Sequence, residues 1–236
     1  MSISVFSIIA IVVVFAAFVQ GATGVGFALI VAPVLALTKP ELLPGGLLLL
    51  MMPLNIFIGW RERAAFEWRG SAWVTAGRVG GTFVGLWVLI AVAPSTLSML
   101  VGVATLLAAL ASMLVPAFDP TPSAFAVAGV VTGITETATG IGGPPLALVY
   151  QHHSPAGQRA NMAVCLLLGQ VMSLTLLAVA GRLSWTQVGL AAVFLPGLAI
   201  GGFCSRFAHA GLEERRLRIF VLGFAIVSGI VLIARA

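Results

Sequence analysis

Charge is the scarcest feature of this sequence. Aspartate, glutamate, lysine and arginine make up 8% of the 236 residues, 60% are hydrophobic, and mean hydropathy is +1.14. Soluble domains are about a quarter charged and about half apolar, so a water-soluble globule is excluded and an integral membrane protein is implied. Cysteine is nearly absent too. Cys165 and Cys204 stand alone with no C-x-x-C, which argues against a thiol–disulfide carrier and leaves two small packing residues. No G-x-x-x-x-G-K-[ST] loop occurs, and the longest polar stretches, "RERAAFEWRG" and "HAGLEERRLR", hold ten residues each. A nucleotide-driven soluble domain is therefore not expected. No basic residue precedes Lys39. The first stretch thus lacks the positive n-region of a cleavable signal peptide and reads as a membrane segment with its N-terminus outside. The net charge of +5 comes from short clusters between apolar runs, a pattern of topology signals rather than of nucleic-acid binding. No nucleic acid, cofactor or metal is expected.

Charge and proline divide the apolar sequence into runs at 4–20, 24–37, 42–60, 71–92, 95–115, 122–138, 142–151, 160–180, 185–205 and 217–234. A spanning helix needs about 20 residues, and six of these runs fit that directly. The stretches 4–37 and 122–151 are each too long for one span and short for two. Each is cut in its middle by Thr-Gly-x-Gly. If each is a hairpin returning to its own side, Arg61, Arg63, Arg69, Arg159, Arg206, Arg215 and Arg216 share one face, and only Lys39, Arg182 and Arg235 lie on the other. If each crosses once, the loop charges split almost evenly. Cytoplasmic loops carry the Lys/Arg excess, so hairpins are expected, with both termini outside the cytoplasm of a multi-pass cell inner-membrane protein. Trp60, Trp68 and Trp185 at segment ends read as interfacial anchors.

The halves echo each other. "TGVGFALIVAP" from Thr23 resembles "TGIGGPPLALV" from Thr139, "AAFEW" ending at Trp68 aligns with "GRLSW" ending at Trp185, and "LVGVA" at Leu100 aligns with "VLGFA" at Val221, all at offsets of 116 to 121 residues. Five segments per half make the copies inverted. The fold expected is all-α and integral to the membrane, with two inverted five-segment repeats, 1–117 and 118–236, whose helices break at the glycine-rich motifs. Inverted repeats with discontinuous helices are characteristic of secondary transporters, with the site at the repeat interface near the midplane.

A backbone break inside a bilayer needs internal partners, because lipid offers none. Helix starts after Gly26 and Gly142 present N–H groups and positive dipole ends, and two of them meeting near the midplane would hold an anion. The candidate binding residues are Thr23, Gly24 and Gly26 in the first motif and Thr137, Thr139, Gly140, Gly142 and Gly143 in the second. Gly140, Gly142 and Gly143 are read as permitting backbone angles closed to other residues and close approach. Tight helix crossing is the competing explanation for the glycines. Glu136 is a carboxylate deep in an apolar run and a functional candidate by default. It reads either as a proton or substrate group or as a structural acid paired with Arg78. Arg78 is either its counter-ion or a side chain reaching for the cytoplasmic interface. Asn55 and Gln170, in corresponding segments of the two halves, line the site or bond helix to helix, and Gln20 is a further mid-segment amide. His152 and His153 lack companion metal ligands and read as loop residues.

At these motifs the chain resembles the TauE/SafE family of membrane proteins, whose glycine-rich motif, roughly G-x-x-G-x-G-G-G with a following proline, occurs once per half. "GATGVGFALIVAP" matches at Gly21, Gly24, Gly26 and Pro33, and "GITETATGIGGPP" at Gly133, Gly140, Gly142 and Gly143, with Pro144 and Pro145 behind. Phe27 stands where a glycine is usual. The resemblance covers the whole chain and implies export of small sulfur-containing anions such as sulfite, sulfoacetate or other organosulfonates. The partners expected are that anion, the lipid bilayer and a second copy in a homodimer. The alternatives are a scaffold subunit, which would need no polar cavity, and an intramembrane enzyme. The enzyme would need a second deep acid, a metal-binding His or a nucleophile with its base, and none is found.

Overall fold

The computed structural model describes residues 2–93, 96–116, 118–207 and 212–235, and the side chains of all of these except 212–215. Among them the chain forms ten α-helices and no strand: α1 Ile3–Thr23, α2 Phe27–Thr38, α3 Gly45–Arg61, α4 Trp68–Ala91, α5 Leu97–Leu114, α6 Pro122–Thr139, α7 Gly143–Val149, α8 Pro155–Val179, α9 Trp185–Cys204 and α10 Leu212–Arg235. Six segments are long and apolar enough to cross a membrane: Ile3–Thr23, Trp68–Ala91, Leu97–Leu114, Pro155–Val179, Trp185–Phe207 and Arg216–Arg235.

Local chemistry explains several boundaries. Thr121 and Ser154 cap α6 and α8, each with proline at the first helical position, where a missing N–H costs nothing. Ser184 and Gln187 form a reciprocal capping box at α9. Two expectations need correction. The run 42–60 is not a full-length span, because a 3-10 turn at Pro40–Leu42 and Pro44 delay α3 to 17 residues. The stretch 4–37 is divided unequally, α1 having 21 residues and α2 12. The expected loop "HAGLEERRLR" is mostly helix, since α10 begins at Leu212, and residues 208–211 lie outside the described residues.

The ends of the bundle can be followed through their contacts. At one end Glu62 bridges Arg61 and Arg159 at 2.9 and 3.1 Å. Arg61 also donates to the Gly21 carbonyl at 2.6 Å and to Ser205 at 3.1 Å, and Arg159 donates to the Ala22 carbonyl at 3.3 Å. At the other end Gln187 donates to the Glu41 carbonyl at 2.8 Å, and Gly45 abuts Leu183 and Gln187. The C-terminal end of α1 therefore lies at the arginine-rich end, and α2 carries the chain back to the end holding Lys39 and Arg182. The Arg215 side chain lies outside those described. Trp60, Trp68 and Trp185 are exposed at helix ends, as interfacial anchors are.

Glycine sets the closest helix pair. α4 and α6 run parallel, with Gly70 against Phe125 and Gly85 against Ile134 and Thr137. A Cβ on Gly81 would come within 2.9 Å of the Val130 carbonyl carbon, and one on Gly129 within 2.9 Å of the Val74 carbonyl carbon. Lipid supplies no hydrophobic drive between helices, so small residues that let backbones approach carry the association. α1 and α9 also run parallel, from the Phe6–Phe194 stack at 5.3 Å to Gly21 beside Ser205. α3 and α8 pack centrally, and α2 is buried on every side from Phe27 to Pro33, as a helix apolar all round should be.

Gly81→Val should cost about 1–3 kcal/mol or more through overpacking against backbone. Gly80→Val, on a glycine with no atom within 4 Å of its Cβ position, should change little. Thermal unfolding of the two variants in detergent checks this, and equal effects would remove glycine packing as the organiser of the α4–α6 pair.

Candidate functional site

Both glycine motifs end a helix in the same way. Gly24 and Gly140 take left-handed angles, φ 82° and 85°, and donate their N–H groups to the carbonyls of Gln20 and Glu136 at 2.7 and 2.8 Å. The threonine before each glycine bonds back to its own helix, Thr23 to the Val19 carbonyl and Thr139 to the Thr135 carbonyl, and accepts from the N–H two residues on, Val25 and Ile141, each at 3.3 Å. Thr23 also donates to the Val25 carbonyl at 2.6 Å. These hydroxyls therefore satisfy the break itself, against the expectation that they are free donors. Thr137 faces Ser173 at 2.8 Å instead of the motif.

Of the two roles expected of the glycines, unusual angles and close approach, Gly142 and Gly143 serve only the second. Gly26 does use a positive φ, of 125°. Gly142 (φ −121°) does not, and Gly143 already lies in α7. These two are needed for close approach. A Cβ on Gly142 would meet the Glu136 carboxyl carbon at 2.8 Å, and one on Gly143 would meet Val25 Cγ2 at 2.6 Å. The second contact brings the two motifs together. Among the described residues, the N–H groups of Gly26, Gly142 and Gly143 have no protein acceptor.

Between the motifs runs a single line of hydrogen bonds. The Phe27 N–H donates to Gln20 Oε1 at 3.1 Å, Gln20 Nε2 to Asn55 Oδ1 at 2.9 Å, Asn55 Nδ2 to Gln170 Oε1 at 3.2 Å, and Gln170 Nε2 to Glu136 Oε1 at 3.3 Å. The other Glu136 oxygen is paired with Arg78 Nη2. Every bond points the same way. A backbone N–H can only donate and an ionised carboxylate can only accept, so the two ends determine how all three amides are turned. All members are buried, and Arg78 and Glu136 are 0% exposed. Arg78 therefore does not reach for the interface. Its Nη1 donates to the Cys165 carbonyl at 3.3 Å, while its Nε has no partner. Gly169 leaves the space that the guanidinium fills, since a Cβ there would overlap it.

The structure thus joins Gln20, Asn55, Arg78, Glu136 and Gln170 in one network, places Gly26, Gly142 and Gly143 beside it, and turns Thr23, Thr137 and Thr139 to other work. Gln20 and Gly169 were absent from the expected site. Gln20 could have been found, because it precedes Thr23 by the same three residues as Glu136 precedes Thr139. Nothing in the sequence pointed to Gly169.

The family model described as Sulfite exporter TauE/SafE matches residues 9–232. The chain belongs to the TauE/SafE family. Comparison with curated proteins and with solved structures gives no match. TauE/SafE membership, with six span-length apolar helices, makes the chain an integral membrane transporter of the exporter type and not an enzyme.

Arg78→Leu should strand a buried carboxylate and cost about 3–5 kcal/mol. Adding Glu136→Leu should recover most of that, because the uncompensated charge is then gone. Unfolding in a denaturing detergent, followed by tryptophan fluorescence, measures both. A double variant as unstable as the single one would show that the pair is not the unit that matters.

Proposed function

We propose that this chain is a secondary transporter that exports small anions from the cytoplasm, sulfite or organosulfonates being the class, across the cell inner membrane. In this reading 1–117 and 118–236 are inverted repeats, α1–α2 and α6–α7 are re-entrant pairs, and the site lies where their turns meet. Several observations support it. At 1.5 Å per residue, α2 and α7 are about 18 and 10 Å long, well short of the roughly 30 Å hydrocarbon core. Each returns along the helix before it, as Phe27 reaches Gln20 and Gly142 packs on Glu136. The first helix of each half runs parallel to the fourth of the other, α1 with α9 and α6 with α4, as a pseudo-twofold relation requires. The arginine-rich end then faces the cytoplasm. Cysteines placed at Arg63 and Arg182 should react from opposite faces of the membrane. Labelling of both from one face would end the inverted-repeat reading.

The observation that carries the function is the buried Arg78–Glu136 pair at the end of the amide line. With Glu136 ionised, the Arg78 charge is already compensated, and an anion gains little by approaching it. With Glu136 protonated, Arg78 is left as an uncompensated buried cation, which an oxyanion stabilises strongly. The N–H groups of Gly142 and Gly143 lie within the same region. Anion and ionised Glu136 compete for one guanidinium, so one proton is taken up per anion bound. Among the described residues Arg78 is the charged side chain in contact with Glu136. The other groups on Glu136 are amide and backbone, and Cys165 and Tyr150 lie beyond the guanidinium.

Glu136→Gln fixes the neutral state. It should keep sulfite flux in proteoliposomes while losing the dependence on an imposed pH gradient that the unaltered protein shows. A Glu136→Gln protein with unchanged gradient-driven flux would reduce Glu136 to a structural acid, and an unaltered protein with no sulfite or organosulfonate flux would remove the transport reading itself.

A further inference from the structure

A second polar feature lies away from the midplane pair. At the arginine-rich end a cavity of about 290 Å³ opens between α2, α5, α7, α8 and α10, and its floor is the first glycine motif, at Thr23 and Val25. Arg218 stands on its wall and donates through Nη2 to the Ser112 carbonyl at 3.1 Å, and the rest of its guanidinium fork has no partner among the described residues. Gln151 and Gln158 also line it. The Gln151 Nε2 is buried with no hydrogen-bond partner, and the Gln158 Nε2 has only a 3.9 Å contact with the thioether of Met162, a weak acceptor. A buried amide N–H without an acceptor is costly, and here one such group, a second amide held only by a weak acceptor, and a cation share one cavity. No carboxylate occurs among its described lining residues. Thr23 adds nothing, since its hydroxyl proton is already directed to backbone carbonyls.

We propose that this cavity is an oxyanion-binding vestibule in which Arg218, Gln151 and Gln158 hold a small sulfur oxyanion before it reaches the first motif. An arginine fork, two under-partnered amides and no carboxylate among the described lining residues call for a ligand with several oxygens and negative charge. The volume exceeds that of a sulfite or a small sulfonate, so the ligand keeps part of its water. Fork-shaped Arg218 supplies the charge, and the two amides supply direction. As a loading site the vestibule rests on the export reading above. As a binding site it does not. The phosphate of an anionic lipid headgroup offers the same chemistry, so the source of the oxyanion is part of the test.

The experiment is equilibrium binding of radiolabelled sulfite to the full chain in nanodiscs of phosphatidylcholine alone. Arg218→Gln is expected to weaken binding about tenfold or more, the order for loss of a charge-assisted hydrogen bond. Gln151→Leu should weaken it severalfold, Arg218→Lys less than Arg218→Gln, and Arg182→Gln at the opposite end not at all. Binding should persist when Arg78 and Glu136 are both Leu, which separates this site from the midplane pair and makes the result independent of whether flux occurs. In nanodiscs containing phosphatidylglycerol, competition with sulfite that disappears in Arg218→Gln identifies lipid phosphate as a resident of the same oxyanion site. The proposal is overturned if Arg218→Gln and Gln151→Leu bind sulfite as the unaltered protein does. It is equally overturned if the unaltered protein binds neither sulfite nor phosphatidylglycerol in an Arg218-dependent way.

Discussion

Arg78 and Glu136 meet where neither water nor lipid can solvate them, and in such a medium neither charge is tolerable alone. Much of the central architecture follows from satisfying that pair. Gly169 has no side chain because the guanidinium occupies its place, and Gly142 has none because the carboxyl lies against it. Gln170 turns its amide nitrogen to Glu136, which obliges Asn55 and then Gln20 to turn theirs in sequence. Four hydrogen bonds away, the orientation of the line ends on the backbone of the other glycine motif, at Phe27. A buried ion pair is a weak way to stabilise a protein, since apolar replacements often do as well or better. Its retention here, with a surrounding set of polar groups built to match, is more economically explained by a state that changes than by stability.

That line of amides also gives the two motifs a physical means of sensing each other. If Glu136 becomes a donor, Gln170 no longer faces a pure acceptor, and the requirement that orients Asn55 and Gln20 is relaxed. Phe27, which stands where the family pattern has glycine, contributes its N–H to this line and packs its ring wholly inside the core. The departure from the pattern leaves the first motif's backbone arrangement intact, because position 27 already lies in α2 and needs no unusual angle.

The vestibule and the buried ion pair are complementary in kind. The first carries an exposed arginine and amide donors that lack a strong acceptor among the described residues. The second carries an arginine whose charge is already answered. Thr23 and Val25, which line the vestibule, belong to the first motif, where the Gly24 N–H is held by the Gln20 carbonyl, the Val25 N–H by the Thr23 hydroxyl and the Phe27 N–H by the Gln20 side chain.

The all-helical membrane character, most helix boundaries and the helix ends at Gly24 and Gly140 were readable from the sequence, because hydropathy, proline, capping residues and left-handed glycine act over a few residues. The pairing of Glu136 with Arg78 was readable as one of two alternatives, since two lone charges in apolar runs have few other partners. What the sequence could not settle was the use of each polar group. Thr23 and Thr139 looked like ligand donors and instead close their own turns. Gly142 and Gly143 were read as serving both unusual backbone angles and close approach, and they serve only the second, making room for neighbours from elsewhere in the fold. The amide line, the seat at Gly169 and the three-element vestibule of Gln151, Gln158 and Arg218 join residues that lie far apart in the chain or on separate elements. Local propensity determined where helices begin and end; only their packing decided which side chains meet, because a hydrogen bond is made over about 3 Å of space and not over any distance along the sequence.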